Sequence, residues 1–175
     1  MINGILAIIL SLCLFFGSKD NYPVPEKTIA RLFYIQRNHN ANTIVYDAVF
    51  DNNGILVEKS PVDIYWLRYQ EQGQRMELRN IERLLAFGAG CTPIKDRKNE
   101  YDLKLAADRK KSFRLVQKEP FKALVVTTIN QQESQIDHIY VFADNTSFWP
   151  KVKYIELFGF SLETGKPTYE RILNE

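Results

Sequence analysis

Residues 121–143 read FKALVVTTINQQESQIDHIYVFA. Two apolar runs, 123–129 and 136–142, flank the polar Asn130-Gln131-Gln132-Glu133. Each run has the length of a strand and is rich in β-branched and aromatic side chains, which pack well on a pleated surface. A third such run covers 154–160. A half-exposed antiparallel strand alternates apolar and polar residues, whereas these runs are apolar on both faces. They therefore predict strands covered on both sides, in the middle of a sandwich or beside a helix. The chain as a whole reads as mainly β.

The flanking sequence supports the same class. Asn21-Tyr22-Pro23-Val24-Pro25 is an extended leader. Residues 32–37 and 43–50 read as strands around the turn cluster 38–42, where Asn side chains bond their own backbone. Asp51-Asn52-Asn53-Gly54 is the strongest turn signal, and 62–69 is a strand with Ile64 and Trp66 on one face and Tyr65 and Leu67 on the other. The period changes once. Leu78, Ile81, Leu84 and Leu85 recur at helical spacing and Gly88 stops the run, which predicts one inserted helix. Strands return at 101–106, 113–117 and 169–173. The expected fold is an antiparallel β-sandwich of immunoglobulin-like style with about eight strands; a closed antiparallel β-barrel is the alternative.

Residues 5–16 form an almost continuous apolar run, too short to span a bilayer comfortably but suited to the core of a secretory signal. The expected organisation is a signal peptide over 1–18, a leader over 19–27 and a single domain over 28–175. This places the domain outside the cytoplasm, in the periplasm or secreted; an uncleaved N-terminal tether to the membrane is the alternative. Removal of the signal takes Cys13 with it. Cys91 then has no internal disulfide partner and reads as a small buried hydrophobe.

The 23 Lys and Arg against 21 Asp and Glu leave a net charge of +2, too small a field to favour nucleic acid as a partner. Residues 95–122 are locally basic, with ten basic residues against five acidic ones. Arg109, Lys110 and Lys111 at their centre read as a solvated turn, or as a patch for an anionic surface.

Phosphate loops, His-Glu-x-x-His, Cys-x-x-Cys and Gly-x-Ser-x-Gly are all missing from the sequence, so no catalytic residue is assigned, and no cofactor or metal is expected. Asp51, Asn52 and Asn53 offer oxygens, but a hairpin turn explains them. Strand alternation puts Asp137 and His138 on opposite faces, which disfavours a direct pair. More informative are charges on apolar faces. Arg37 shares a face with Phe33 and Ile35, Arg68 with Ile64 and Trp66, and Glu156 with Tyr154 and Phe158. A buried charge needs a partner. Either the charges pair internally, as Arg68 with Glu156, or they line a cleft and meet a ligand. Together with the Asn38, Asn40 and Asn42 turn, His138 and the Trp149 loop, Arg37 and Arg68 make up the candidate binding residues.

The segment Leu32-Phe33-Tyr34-Ile35-Gln36-Arg37-Asn38, followed by Asn40 and Asn42-Thr43, resembles the opening of the bacterial family called domain of unknown function 4833. Tyr65-Trp66-Leu67-Arg68-Tyr69, Ile139-Tyr140-Val141-Phe142-Ala143-Asp144-Asn145 and Trp149-Pro150-Lys151-Val152 running to Phe158-Gly159 are similar to later parts of it. The resemblance implies one domain in an exported bacterial setting and carries no assigned reaction. Three functions stay open. The first is a non-enzymatic envelope module binding a protein, glycan or small ligand. The second is a carrier with an apolar cavity, and the third a hydrolase or transferase using His138.

Overall fold

The structure is a computed structural model and describes residues 22–108, 111–144, 146 and 151–174. Among these, eleven strands join into one curled, mixed sheet. In chain order they are β1 Arg31–Arg37, β2 Asn40–Ala48, β3 Val62–Arg68, β4 Gln74–Glu77, β5 Ala89–Pro93 and β6 Glu100–Leu105. β7 Phe113–Glu119, β8 Lys122–Ile129, β9 Gln132–Asp144, β10 Lys151–Ser161 and β11 Pro167–Leu173 follow.

The apolar 136–142 run becomes the centre of the molecule because β9 is long enough to pair with three strands. β10 runs antiparallel along one edge, from Ser134 to Asp144. The other edge is shared. β8 takes its first residues, Gln132 to Gln135, and β1 takes His138 to Val141 in the sheet's parallel pairing. The sheet therefore forks at β9 into two wings, β1-β2-β3-β4 and β8-β7-β6-β5. Their inner faces enclose one core. Phe33 of β1 stacks on Tyr46 of β2 at 4.3 Å between ring centroids and on Phe113 of the opposite wing at 6.4 Å. Ile44, Leu103, Leu115, Val125, Ile136 and Leu157 complete it and are fully buried. Each such side chain contributes roughly 1.5–3 kcal/mol relative to exposure.

One end of the space between the wings is closed. The Asp51 carboxylate accepts the N–H groups of Asn53 and Ile55, and Gly54 takes the left-handed conformation at φ 75°. The Gly54 carbonyl then accepts the Gln117 side-chain amide at 2.6 Å and the Phe121 N–H at 3.0 Å, tying the loop of one wing to the hairpin of the other. One Asp51 oxygen, Oδ1, thus serves the turn itself.

The mainly β expectation holds, but its details change. A single forked sheet replaces the two sheets of an immunoglobulin-like sandwich. It is not a closed barrel either: β4, β5 and β11 each pair with one neighbour among the described residues, leaving open edges. β4 and β5 were not expected as strands. β4 is exposed throughout, and β5 is short and contains Gly90, so neither shows the alternation of a half-buried strand. The expected helix shrinks to an α-helical turn, Asn80–Glu82, followed by a π-helical stretch, Arg83–Phe87. Its apolar face does not turn inward. Leu78 is buried just before it, but Ile81, Leu84 and Leu85 are 56%, 66% and 65% exposed. Two turns are too short to lay a continuous stripe on the sheet, and the π turn changes the angular spacing.

Candidate functional site

The end of the core away from the Gly54 loop opens into a cleft of about 650 Å³. Alternation along β1 places Phe33, Ile35 and Arg37 on the inner face, and Arg37 comes last, where the wings separate. Ile139 and Val141 of β9, Ile155 of β10, and Leu105 and Phe113 of the other wing form apolar walls. The π-helical stretch supplies Leu85 and Phe87 at the mouth. It is held by Tyr46, whose buried hydroxyl donates to the Phe87 carbonyl at 2.6 Å.

The Arg37 guanidinium stands over the rings of Trp66 and Phe87, 5.2 and 5.8 Å from their centroids. Its Nε is buried and, among the described residues, has no hydrogen-bond partner. Burial lowers its pKa, opposed by the field of Glu82. The Glu82 carboxylate is itself engaged by the Arg79 N–H at 2.8 Å, the Arg79 guanidinium at 2.8 Å and the Trp66 indole N–H at 3.4 Å. Partial burial works against its ionisation, but these donors hold its pKa below the usual carboxylate value. His39 and Asp108 also line the cleft.

The other sequence candidates divide differently. Asn38 is 5% exposed and clamps β1 to β9, its side chain donating to the Ala143 carbonyl and accepting the Ala143 N–H, both at 2.8 Å. Asn40 accepts the Asn42 N–H, and Asn42 accepts the Gln70 N–H. These amides hold the turn, and Asn38 and Asn40 also line the cleft beside Arg37; the turn is tighter than expected, since β2 begins at Asn40 and His39 takes φ 59°. The Arg68–Glu156 pair does not form. Arg68 pairs with Glu71 at 2.8 Å on the surface, whereas Glu156 accepts from Tyr169 at 2.6 Å and Arg171 at 2.7 Å. Each carboxylate takes a cation from its own neighbourhood. Trp149, Arg109 and Lys110 lie outside the described residues. Lys111 pairs with Glu170 at 3.2 Å.

His138 lies on the outer face of β9, away from the cleft. Its ring is sandwiched between Tyr34 at 5.1 Å and Phe158 at 4.3 Å. Its Nδ1 sits 2.7 Å from the Asp137 carboxylate, contrary to the opposite-face expectation. The reason is a β-bulge. Phe158 pairs with His138 and Gly159 with Ile136, so Asp137 is the extra residue and the alternation resets. Gly159 is required there, because a Cβ would collide with the Gln135 carbonyl. Cys91 is half-buried against the core; burial and the Asp102 carboxylate push its thiol up to about 11, leaving a poor nucleophile.

The cleft walls escaped sequence reading because Leu105, Phe113, Val141 and Ile155 look like any core residue. The legible signal was Arg37, a charge closing an apolar strand face.

Fold and site define a class: a forked, half-barrel β domain with an apolar cleft at its open end and one arginine in the cleft wall. The chain belongs to the family described as domain of unknown function (DUF4833), whose family model matches residues 33–171. No curated protein and no solved structure matches it. No helix among the described residues is long and apolar enough to cross a membrane.

Proposed function

We propose that this domain is an exported, non-enzymatic binding module that takes a small apolar molecule into the cleft between its wings. The observation that carries the reading is the cleft itself. Its volume of about 650 Å³ falls within the range of small-molecule sites, and its lining is mostly aliphatic and aromatic with few polar groups. The apolar run at residues 5–16 supports export. His138, the candidate for catalysis, stands on the opposite face between two rings, where it acts as a packed, hydrogen-bonded side chain.

The test uses the neutral fluorophore N-phenyl-1-naphthylamine with the full chain. Its emission rises on binding, and Ala86→Trp, which places an indole in the cleft, abolishes the rise without lowering the melting temperature. Equal binding by the unmodified chain and a folded Ala86→Trp variant would place the probe elsewhere and reject the reading.

A further inference from the structure

We propose that the cleft's ligand is a single-chain amphiphile with a carboxylate head, the head paired with Arg37 and the chain lying along the apolar walls. This rests on the cleft reading above and adds the chemical class of the ligand.

The cation is unusual in its position. Arginine is rarely taken into an apolar wall unless paired, because desolvating it costs several kcal/mol. Here the inner-face alternation of β1 delivers it there, immediately beyond Ile35. Trp66 and Phe87 present ring faces to the guanidinium, which attract a cation without neutralising it. Its Nε–H is buried with no acceptor among the described residues. The acid whose field it feels, Glu82, already serves Arg79 and Trp66. A carboxylate arriving in the cleft beside Arg37 supplies the missing counter-charge, which a guanidinium binds by charge-assisted hydrogen bonds.

The remaining surface selects the rest of the ligand. Ile139, Val141, Ile155 and Phe113 offer an acyl chain only apolar contact. Leu85 lines the cleft and is 65% exposed, so the mouth is apolar as well. Two other charged or titratable side chains face the space. His39 is compatible with an anion. Asp108 accepts the Lys111 N–H at 3.2 Å and adds negative charge to the rim, which weighs against a doubly charged phosphate head and favours a monoanion.

The experiment is displacement of N-phenyl-1-naphthylamine from the full chain near neutral pH. The competitors are dodecanoate, dodecanol and dodecyltrimethylammonium, each below its micelle concentration. Dodecanoate is expected to displace the probe at concentrations on the order of tenfold to a hundredfold lower than dodecanol, as a charge-assisted hydrogen bond requires. The ammonium is expected to be the weakest. Arg37→Met removes the preference while keeping probe binding, and Arg37→Lys retains part of it. Probe binding with dodecanol or the ammonium as effective as dodecanoate overturns the carboxylate assignment alone. So does an undiminished preference in Arg37→Met. Absence of probe binding overturns the cleft reading and this inference together. If Arg37→Met does not fold, the competitor order on the unmodified chain decides by the same criteria.

Discussion

Replacing Tyr46 by Phe removes one oxygen atom from the centre of the molecule and tests how the cleft mouth is held. Tyr46 is fully buried on β2 and stacked on Phe33 at 4.3 Å, and the substitution leaves that ring in place. What is lost is the 2.6 Å bond to the Phe87 carbonyl, at the end of the π-helical stretch where helix carbonyls lack partners of their own. Burial pushes the Tyr46 hydroxyl pKa far up, so it remains a neutral donor at every pH where the protein is handled. The net value of such a bond is about 1 kcal/mol, and leaving the half-buried carbonyl unsatisfied raises the cost to roughly 1–3 kcal/mol. For a domain of this size each kcal/mol lowers the melting temperature by about 2–4 °C, so thermal unfolding followed by circular dichroism should show a drop of roughly 2–12 °C. Hydrogen exchange should localise the change, with protection lost across 80–88 more than in β7 and β8. A melting temperature within about 1 °C of the unmodified protein, or loss of protection spread evenly over the sheet, would refute the claim that this hydroxyl anchors the cleft mouth.

Three further outcomes follow from particular contacts. Gly54→Ala places a Cβ at φ 75° and 2.7 Å from the Phe121 ring, so the urea midpoint should fall by an amount equivalent to at least about 1 kcal/mol, where an ordinary exposed turn would show almost no change. Asn38→Ala deletes both clamps onto Ala143; a loss of about 1–3 kcal/mol in chemical denaturation is expected, and an unchanged midpoint would show that the parallel β1–β9 pairing holds without the side chain. The Tyr34 hydroxyl is pushed up to about 12 from 10.0 by burial, then by the Asp137 carboxylate and by Tyr69. Its stabilisation is complete below the unfolded value. Between pH 10 and about 12 the folded state keeps a proton that the unfolded chain releases, so stability should decline with rising pH across that window. Tyr46, raised further by burial, adds to the same decline, so Tyr34→Phe should make the slope shallower without abolishing it; an equally steep decline in the variant would assign it to other groups.

Short-range chemistry explains what sequence reading recovered. Runs such as 123–129 and 136–142 have the length of strands and are rich in β-branched and aromatic residues, and β8 and β9 are those strands. The turn at Asp51-Asn52-Asn53-Gly54 closes on itself through bonds between residues 51 and 55. The pairing of Arg37 with Phe33 and Ile35 on one face needed only the period of two, and it located the residue that now marks the cleft. The helix at 80–87 shows where such reasoning stops. Its period was visible, but the element is only an α turn followed by a π turn, which leaves Ile81, Leu84 and Leu85 exposed.

Several features arise only from segments far apart in the chain meeting. The parallel β1–β9 pairing joins residues about a hundred positions apart and forks the sheet, a choice that no local pattern encodes. The bulge at Asp137 is set by the register of β10 against β9 and by Gly159, and it brings together an aspartate and a histidine that simple alternation separates. Glu156 found Arg171 across β10–β11 because the hairpin brought that cation nearest, while Arg68 was left to Glu71. By itself the sequence determined the strand-rich class, the principal turns and the inward charge of Arg37, because these follow from backbone geometry and side-chain period over a few residues. The tertiary structure decided that the strands form one forked sheet instead of two, that Asn38 is a clamp and His138 a packed ring, and that Arg37 faces a cleft, because register, partner choice and empty space are properties of surfaces brought together from distant parts of the chain.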